Sequence, residues 1–175
     1  MSTAGLSVSL RKATVDDVRP TLEMKLAAWR ETYAHVRPES FFAAKEAGLE
    51  KETDWWLRGL AAGAEFWIAV DAEGSVVGCA GGTPTQDDDA DTGVPVELQM
   101  LYVRSAYYGT GLGERLLQTA VGTGPALAWV VQGNDRAIAF YRKHGFAPDG
   151  RVEPCGDWGD GVDWTGLDEV RLVRR

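Results

Sequence analysis

Apolar residues recur at two different spacings along the chain, and each spacing predicts a type of element. Spacings of three and four predict one face of a long helix, formed by Val15, Val18, Leu22, Leu26, Trp29 and Tyr33. Thr14 and Asp17 have the spacing of a capping box ahead of this helix. Pro20 fits either the first turn of a helix that starts near residue 19 or a bend within it. Two shorter helices are predicted next, one from Pro38 and one over residues 50–61.

Seven strands are predicted from alternating or continuous apolar runs. They cover residues 6–10, 65–70, 75–83, 94–103, 126–131, 146–152 and 167–173. One helix follows the fourth strand, and another runs from its N-cap Asn134 to Gly145. In the fourth strand, one side of the sheet is expected to carry Val96, Leu98, Met100 and Tyr102, and the other Glu97, Gln99, Leu101 and Val103.

The order of these elements predicts the fold class. A strand, two or three helices, three strands, a helix, a strand, a helix and two strands follow one another. This order predicts a single domain over residues 1–175, an α/β protein with one mixed sheet and helices on both faces.

The fourth strand ends in a glycine-rich turn, which carries a chemical signal. Gly109, Gly111 and Gly113 precede a helix that starts near Glu114. The first N–H groups of a helix lack partners inside it, and glycine lets an anion approach the backbone closely. The spacing does not fit a dinucleotide fingerprint, whose third glycine would replace Glu114, or a P-loop, since no Gly-Lys-Ser/Thr follows. A main-chain phosphate site and a plain tight turn remain as interpretations.

Composition narrows the classes of function. The chain of 175 residues is 45% hydrophobic and has a net charge of −8, which argues against nucleic acid or an anionic membrane as its main partner. Cys79 and Cys155 form no disulfide framework, and with no leader and no membrane-spanning run we expect a cytoplasmic protein. The acidic run at residues 87–91 is expected to be a solvated loop, with attraction of a cationic acceptor as the alternative.

Two blocks of residues carry a resemblance to a known family. The first comprises Glu97-Leu98, Leu101-Tyr102-Val103 and Tyr108-Gly109-Thr110-Gly111-Leu112-Gly113. The second comprises Asn134-Asp135-Arg136-Ala137 and Phe140-Tyr141-Arg142-Lys143-His144-Gly145-Phe146. Over residues 94–146 the chain resembles the GCN5-related N-acetyltransferase (GNAT) family. The resemblance implies a mixed, mostly antiparallel central sheet of six to seven strands, with a splay between the fourth and fifth strands.

The resemblance also implies acetyl-CoA as co-substrate and no metal. Main-chain N–H groups of residues 108–113 would hold the diphosphate, although Tyr108 stands where the family usually has Gln or Arg. The end of the fourth strand would pair with the pantetheine arm, which Asn134 would also contact. The implied coenzyme-binding residues are Leu101, Tyr102, Val103, Tyr108, Gly109, Thr110, Gly111, Leu112, Gly113, Asn134, Ala137 and Tyr141.

Two side chains are candidates for the chemistry. An amine acceptor must lose a proton before it attacks a thioester, and Glu97 stands where several family members keep a carboxylate base. A contact to a cationic substrate or a plain position at the sheet surface are the alternatives for Glu97. Tyr141 matches the family tyrosine that protonates the leaving thiolate. A main-chain N–H near Met100 or Leu101 would stabilise the oxyanion of the tetrahedral intermediate.

These features predict an N-acetyltransferase that moves acetyl directly to a primary amine, on a small molecule or a protein N-terminus, in a ternary complex. A covalent route through Cys79 or Cys155 is disfavoured because neither His35 nor His144 has a triad-like setting. A non-catalytic acyl-CoA sensor or interaction module of the same fold is the alternative. A longer acyl chain or a hydroxyl acceptor also stays open, and the resemblance allows a homodimer. The tail is expected either to line the acceptor pocket or to cap a hydrophobic edge. It contains Asp157, Trp158, Asp160, Asp163 and Trp164.

Overall fold

A computed structural model describes residues 7–156 and 162–175. The strands are β1 (Ser9–Lys12), β2 (Trp67–Val70), β3 (Val76–Pro84), β4 (Val96–Val103), β5 (Ala126–Val131), β6 (Ala147–Pro154) and β7 (Asp168–Arg174). The α-helices are α1 (Val18–Tyr33), α2 (Glu39–Ala47), α3 (Leu49–Ala61), α4 (Leu112–Val121) and α5 (Asp135–Lys143). Short 3-10 helices cover residues 15–17, 87–92 and 105–107.

The strands form one mixed sheet in the order β1-β2-β3-β4-β5-β7-β6. β4 and β5 are parallel neighbours, and the other neighbouring pairs are antiparallel. In the described part of the chain, β4 and β5 pair only at Glu97–Leu127 and Leu98–Ala128. Both strands continue beyond these pairs and diverge. The predicted element order, the mixed sheet and the splay between the fourth and fifth strands are therefore confirmed.

Helices cover both faces of the sheet, as predicted. Ile68 and Cys79 pack against α1 and α3 on one face, whereas Ala69 and Ala80 pack against α4 on the other. Burial raises the pKa of the Cys79 thiol to about 12, so this cysteine is an inert core residue. Among the described helices, none is long and apolar enough to cross a membrane.

The start of α1 follows the predicted signals, with one error. Asp17 accepts a hydrogen bond from the backbone N–H of Thr14 at 2.8 Å, as in a capping box, and a second one from the Thr14 hydroxyl at 2.9 Å. Pro20 lies in the first turn, where its missing N–H costs no intrahelical bond. Val15 does not join the apolar face, because it lies in the preceding 3-10 turn and is 60% exposed.

The strict alternation predicted for β4 is wrong. β3 pairs Gly82 with Leu98 and then Gly81 with Met100, so Gln99 is an extra residue, a β-bulge. Leu98 packs with the α4 and α5 side of the core, whereas Met100 and Tyr102 pack with the α1 side. The bulge therefore separates Leu98 from the two residues expected to share its face.

Strand ends differ from the predictions by a few residues. β1 begins at Ser9 instead of residue 6, which lies outside the described residues. β2 begins at Trp67 because residues 64–66 connect α3 to the sheet, and β6 extends to Pro154. The hairpin predicted between β2 and β3 is present, with the N–H of Asp71 donating to the carbonyl of Ser75 at 3.0 Å.

The acidic run at residues 87–91 is only partly the solvated loop that we predicted, because it forms a 3-10 helix in which Asp89 is buried and the other four residues are exposed. Asp89 is 6% exposed and accepts hydrogen bonds from Arg171 at 2.8 Å and Trp129 at 2.9 Å. Arg171, 4% exposed, also donates to Asp91 at 2.8 Å and to Asp149 at 2.7 Å. Two carboxylates of the run, Asp89 and Asp91, therefore bind a buried guanidinium on β7.

We expect Arg171→Met to lower the free energy of unfolding by roughly 3–5 kcal/mol, because it removes the nearest cation from the buried Asp89 carboxylate and leaves only the longer contact with Arg151 at 3.5 Å. Urea denaturation measures the loss. Arg19→Met is the control, since Arg19 makes an exposed pair with Glu23 and little change is expected. Adding Asp89→Asn to Arg171→Met should recover part of the loss. A loss below about 1 kcal/mol would show that the cluster is only a surface network.

Candidate active site

A cavity of about 310 Å³ opens where β4 and β5 diverge. The end of β4 supplies one wall, and α5 supplies the opposite one. Trp29 and Tyr33 of α1 close a third side, and the glycine-rich turn before α4 forms the fourth. A concave pocket with both apolar and polar walls, formed by a gap between strands, is suited to an extended ligand.

The glycine turn reaches its shape through two left-handed residues. Gly109 has φ +75° and Gly111 has φ +85°, a region that side chains disfavour. Gly113 needs its lack of a side chain for another reason, since a Cβ there would lie 3.2 Å from the ring of Phe140 on α5. Gly111 is the N-cap of α4. All three glycines line the cavity.

Only some amides of the turn are available to a ligand. The N–H of Tyr108 donates to Ser105 at 3.1 Å, and the N–H of Leu112 contacts the Thr110 hydroxyl at 3.4 Å. The N–H groups of Gly111, Gly113 and Glu114 have no hydrogen-bond partner among the described residues. These three residues line the cavity, so the turn has the cradle of free amides that a diphosphate needs.

Asn134 links α5 to α1 across the gap. Its side-chain oxygen accepts from the N–H of Ala137 at 3.2 Å, which confirms the predicted N-cap. Its amide nitrogen donates to the hydroxyl of Tyr33 at 3.2 Å. Burial raises the pKa of Tyr33 to about 12, although the hydrogen bond from Asn134 opposes this rise. Asn134 therefore braces the two helices that border the cavity.

Tyr141 lies on α5 in the wall of the cavity and is 7% exposed. Burial is the main reason that its pKa is raised, and the neighbouring Tyr102 and Tyr33 raise it further. The phenol is therefore fully protonated at neutral pH. A protonated hydroxyl beside an open gap can donate a proton to a leaving group.

Glu97 lies outside the cavity wall, at the first of the two pairs between β4 and β5. It is 9% exposed, and burial raises its pKa, with a further contribution from Asp89. Glu169 of β7 is half-buried, and burial raises its pKa, with contributions from Glu153 and Glu97. Neither Glu97 nor Glu169 forms an ion pair with a described residue. Two partly desolvated carboxylates without a cation are suited to a cationic ligand.

Two cations of α5 line the cavity, and one of them contacts the glycine-rich turn. Arg136 in the first turn of α5 stacks on Tyr108, with its guanidinium carbon 3.7 Å from the ring centroid. Lys143 from the last turn of α5 also lines the cavity. Within the described residues, no group of three His, Cys, Asp or Glu side chains could hold a metal ion.

The structure brings most of the implied coenzyme-binding residues to one cavity and leaves three candidates outside it. Thr110 and Leu112 shape the turn without lining the cavity, and Glu97 lies beyond its wall. The residues at the cavity wall are Leu101, Tyr102, Val103, Tyr108, Gly109, Gly111, Gly113, Asn134, Ala137 and Tyr141.

Sequence reasoning missed Tyr33, Arg136, Phe140 and Glu169 as parts of the site. Arg136 and Phe140 were inside the quoted motif, and Phe140 could have been found from its position one turn before the helix end. Tyr33 is 101 residues away from Asn134, so no local pattern links them.

Other candidates lie in structural positions. Burial raises the pKa of the Cys155 thiol to about 11, which makes it a poor nucleophile at neutral pH. His144 is the C-cap of α5, the helix-end position that was expected, and it also lines the cavity. Trp164 packs edge-on against Trp29 at 5.1 Å in a buried aromatic cluster. Asp163 is exposed, and Asp157, Trp158 and Asp160 lie outside the described residues.

Comparisons with known proteins agree with this geometry. A model of the Acetyltransferase (GNAT) family matches residues 27–146. The Bacillus subtilis (strain 168) protein YuaI, named as an uncharacterized N-acetyltransferase, is 26% identical over 143 residues, which are 78% of this chain and 79% of YuaI.

Two solved structures show the same fold. The PaiA N-acetyltransferase of Thermoplasma acidophilum, in complex with coenzyme A, superposes with a TM-score of 0.67 and 20% identity, covering 97% of this chain and 99% of its own. A ribosomal-protein-alanine N-acetyltransferase of Brucella melitensis superposes with a TM-score of 0.63 and 24% identity, covering 95% of this chain and 98% of its own. Because the family match covers more than half of the sequence, this chain belongs to the GNAT family and is an acetyltransferase.

Proposed function

We propose that this acetyltransferase transfers acetyl from acetyl-CoA to a primary amine by direct attack in a ternary complex. The observation that carries the proposal is the cavity at the divergence of β4 and β5, with free amides at one end and Tyr141 in its wall. The neighbouring structure solved with coenzyme A supports the choice of donor.

The coenzyme fits the cavity through its backbone groups. The free amides of Gly111, Gly113 and Glu114 receive the diphosphate. Beyond Leu98, β4 has no partner strand on the β5 side among the described residues, so its main chain is available to pair with the amide-containing pantetheine arm. The thioester then lies toward Tyr141, and a main-chain N–H near Met100 or Leu101 stabilises the oxyanion.

The acceptor amine enters from the side of Glu97 and Glu169. An ammonium group is attracted by these carboxylates, which no described cation neutralises. Glu97 accepts a proton from the ammonium, directly or through water, and releases it to solvent. The free amine has a lone pair that can attack the thioester carbonyl.

Two protons leave the nitrogen during the reaction. Glu97 passes one to solvent. The C–N bond forms and the C–S bond breaks, while Tyr141 donates its phenolic proton to the departing thiolate and recovers a proton from the nitrogen. The products are an N-acetyl amide and coenzyme A thiol. The phenol is protonated at neutral pH before the thiolate forms, and the proton from the nitrogen restores it afterwards.

We expect Tyr141→Phe to lower kcat by roughly 100-fold, the usual size of a general-acid contribution. The dissociation constant of acetyl-CoA should change less than about threefold, because only a hydroxyl is removed from a buried ring. Steady-state kinetics with a panel of primary amines and calorimetry with coenzyme A measure the two effects. Equal losses in both would mean that the hydroxyl only supports binding.

Glu97→Gln tests the base through the pH dependence of kcat/KM. Glu97 must be ionised to accept a proton, and its pKa is raised. In the wild type, kcat/KM should therefore rise with pH in a limb whose apparent pKa lies above the usual glutamate value of about 4.3. The glutamine variant should lose this limb and keep the rise at high pH that reflects the amine itself. An unchanged profile at lower rate would indicate a substrate-contacting role for Glu97.

Gly111→Ala tests the amide cradle. An L-residue at φ +85° is strained by about 1–2 kcal/mol, so the turn must rearrange, and the affinity for coenzyme A should fall at least about tenfold. Gly124→Ala is the matched control, because a Cβ there meets open space and the backbone is not left-handed. Calorimetric affinity unchanged in both variants would exclude the turn as the diphosphate site.

Tight coenzyme binding by the wild-type chain without release of thiol, across the amine panel, would favour the non-catalytic alternative. Binding absent at millimolar coenzyme A would remove the proposed function altogether.

A further inference from the structure

Beside the glycine-rich turn, two side chains that line the cavity contact each other. The guanidinium carbon of Arg136 lies 3.7 Å from the centroid of the Tyr108 ring, so the cation is in contact with the ring face. Both residues line the cavity, and Tyr108 directly precedes Gly109. The stack therefore joins the first turn of α5 to the turn before α4.

The backbone of Tyr108 is held in place. Its N–H donates to Ser105 at 3.1 Å, and the N–H of Ser105 donates to Glu31 of α1 at 2.8 Å. Glu31 also accepts from Arg104 at 3.0 Å. The ring of Tyr108 is thus a fixed surface on which a guanidinium can be oriented.

The position of Arg136 is electrostatically unfavourable without an anion. It lies in the first turn of α5, where the helix dipole disfavours a positive charge. Among residues 7–156 and 162–175, Arg136 has no ion-pair partner. Its planar group, held by stacking with its donors free, matches the geometry in which arginine binds phosphate.

The net charge of the chain makes such a local cation more important. At −8 the protein as a whole repels a polyanionic ligand. Neutral amides and the N-terminal ends of α4 and α5 offer partial charges only. A full positive charge beside the amide cradle would offset the repulsion where the phosphates bind.

We propose that Arg136, oriented by the ring of Tyr108, is the side chain that binds the diphosphate of coenzyme A next to the free amides of the glycine turn. This proposal rests on the proposed function, because it assumes that coenzyme A occupies the cavity. We assign the contact to the diphosphate and not to the 3′-phosphate, because Tyr108 adjoins the glycines that form the cradle.

The test compares three probes by calorimetry: coenzyme A, 3′-dephospho-coenzyme A and pantetheine. Arg136→Gln should weaken coenzyme A and dephospho-coenzyme A by the same factor, roughly tenfold for one charge-assisted hydrogen bond. The affinity for pantetheine should not change. Kinetically, KM for acetyl-CoA should rise while kcat is retained.

Arg142→Gln is the matched control, because Arg142 is an exposed arginine on the same helix and does not line the cavity. Its affinities for all three probes should stay within about twofold of those of the wild type. This margin allows for the change in net charge that both variants share.

The role of the Tyr108 ring in orienting Arg136 is tested separately. Tyr108→Leu removes the aromatic face and should weaken coenzyme A by severalfold, whereas Tyr108→Phe keeps the face and should bind normally. The double variant Tyr108→Leu/Arg136→Gln should bind little worse than Arg136→Gln alone, because the ring acts through the arginine.

Three results would overturn the proposal. A loss in Arg136→Gln for coenzyme A but not for the dephospho form would assign Arg136 to the 3′-phosphate. An equal loss for pantetheine would make its role structural, and no loss at all would remove the contact. Failure of the proposed function gives a different result, since the wild-type chain would then not bind coenzyme A.

Discussion

The separation of two parallel neighbours, β4 and β5, is the constraint on which the site depends. Strands in a sheet normally continue to pair, because unpaired buried N–H and C=O groups are costly. Here pairing ends after Leu98–Ala128 in the described chain, although β4 runs on to Val103. Helices border the cavity at this point, and Asn134 of α5 donates a hydrogen bond to Tyr33 of α1. Because the sheet is interrupted here, the end of β4 has backbone groups that are available to a ligand.

The bulge at Gln99 determines which side chains meet at this gap. Without the extra residue, Glu97 would face away from Tyr102, because alternation is strict in a regular strand. With it, Leu98 turns to the α4 and α5 side of the core and Tyr102 to the α1 side. Glu97, paired with Leu127, then shares the face on which Asp89 and Glu169 influence it. A local irregularity of one residue thus brings Glu97 close to the other two carboxylates.

The sequence was informative wherever the cause of a structure is local. The cap at Asn134, the glycines of the turn and the element order follow from neighbouring residues, and they were predicted correctly. Contacts between distant segments left no such signal. Asp89 and Arg171 are 82 residues apart, so an acidic run beside a buried arginine looked like a solvated loop. The bulge also escaped prediction, because apolar residues on both sides of Gln99 satisfy two opposite registers equally well.

Charged groups are unevenly distributed around the cavity. Arg136, Lys143 and the free amides line the cavity, and Glu97 and Glu169 lie outside its wall. Tyr33, Tyr102 and Tyr141 also line it, and burial raises their pKa values, so they remain neutral. Under the proposed function, the anionic coenzyme binds among the amides and the cations, and the cationic amine approaches from the two carboxylates. The neutral hydroxyls would then lie near the thioester without repelling either ligand.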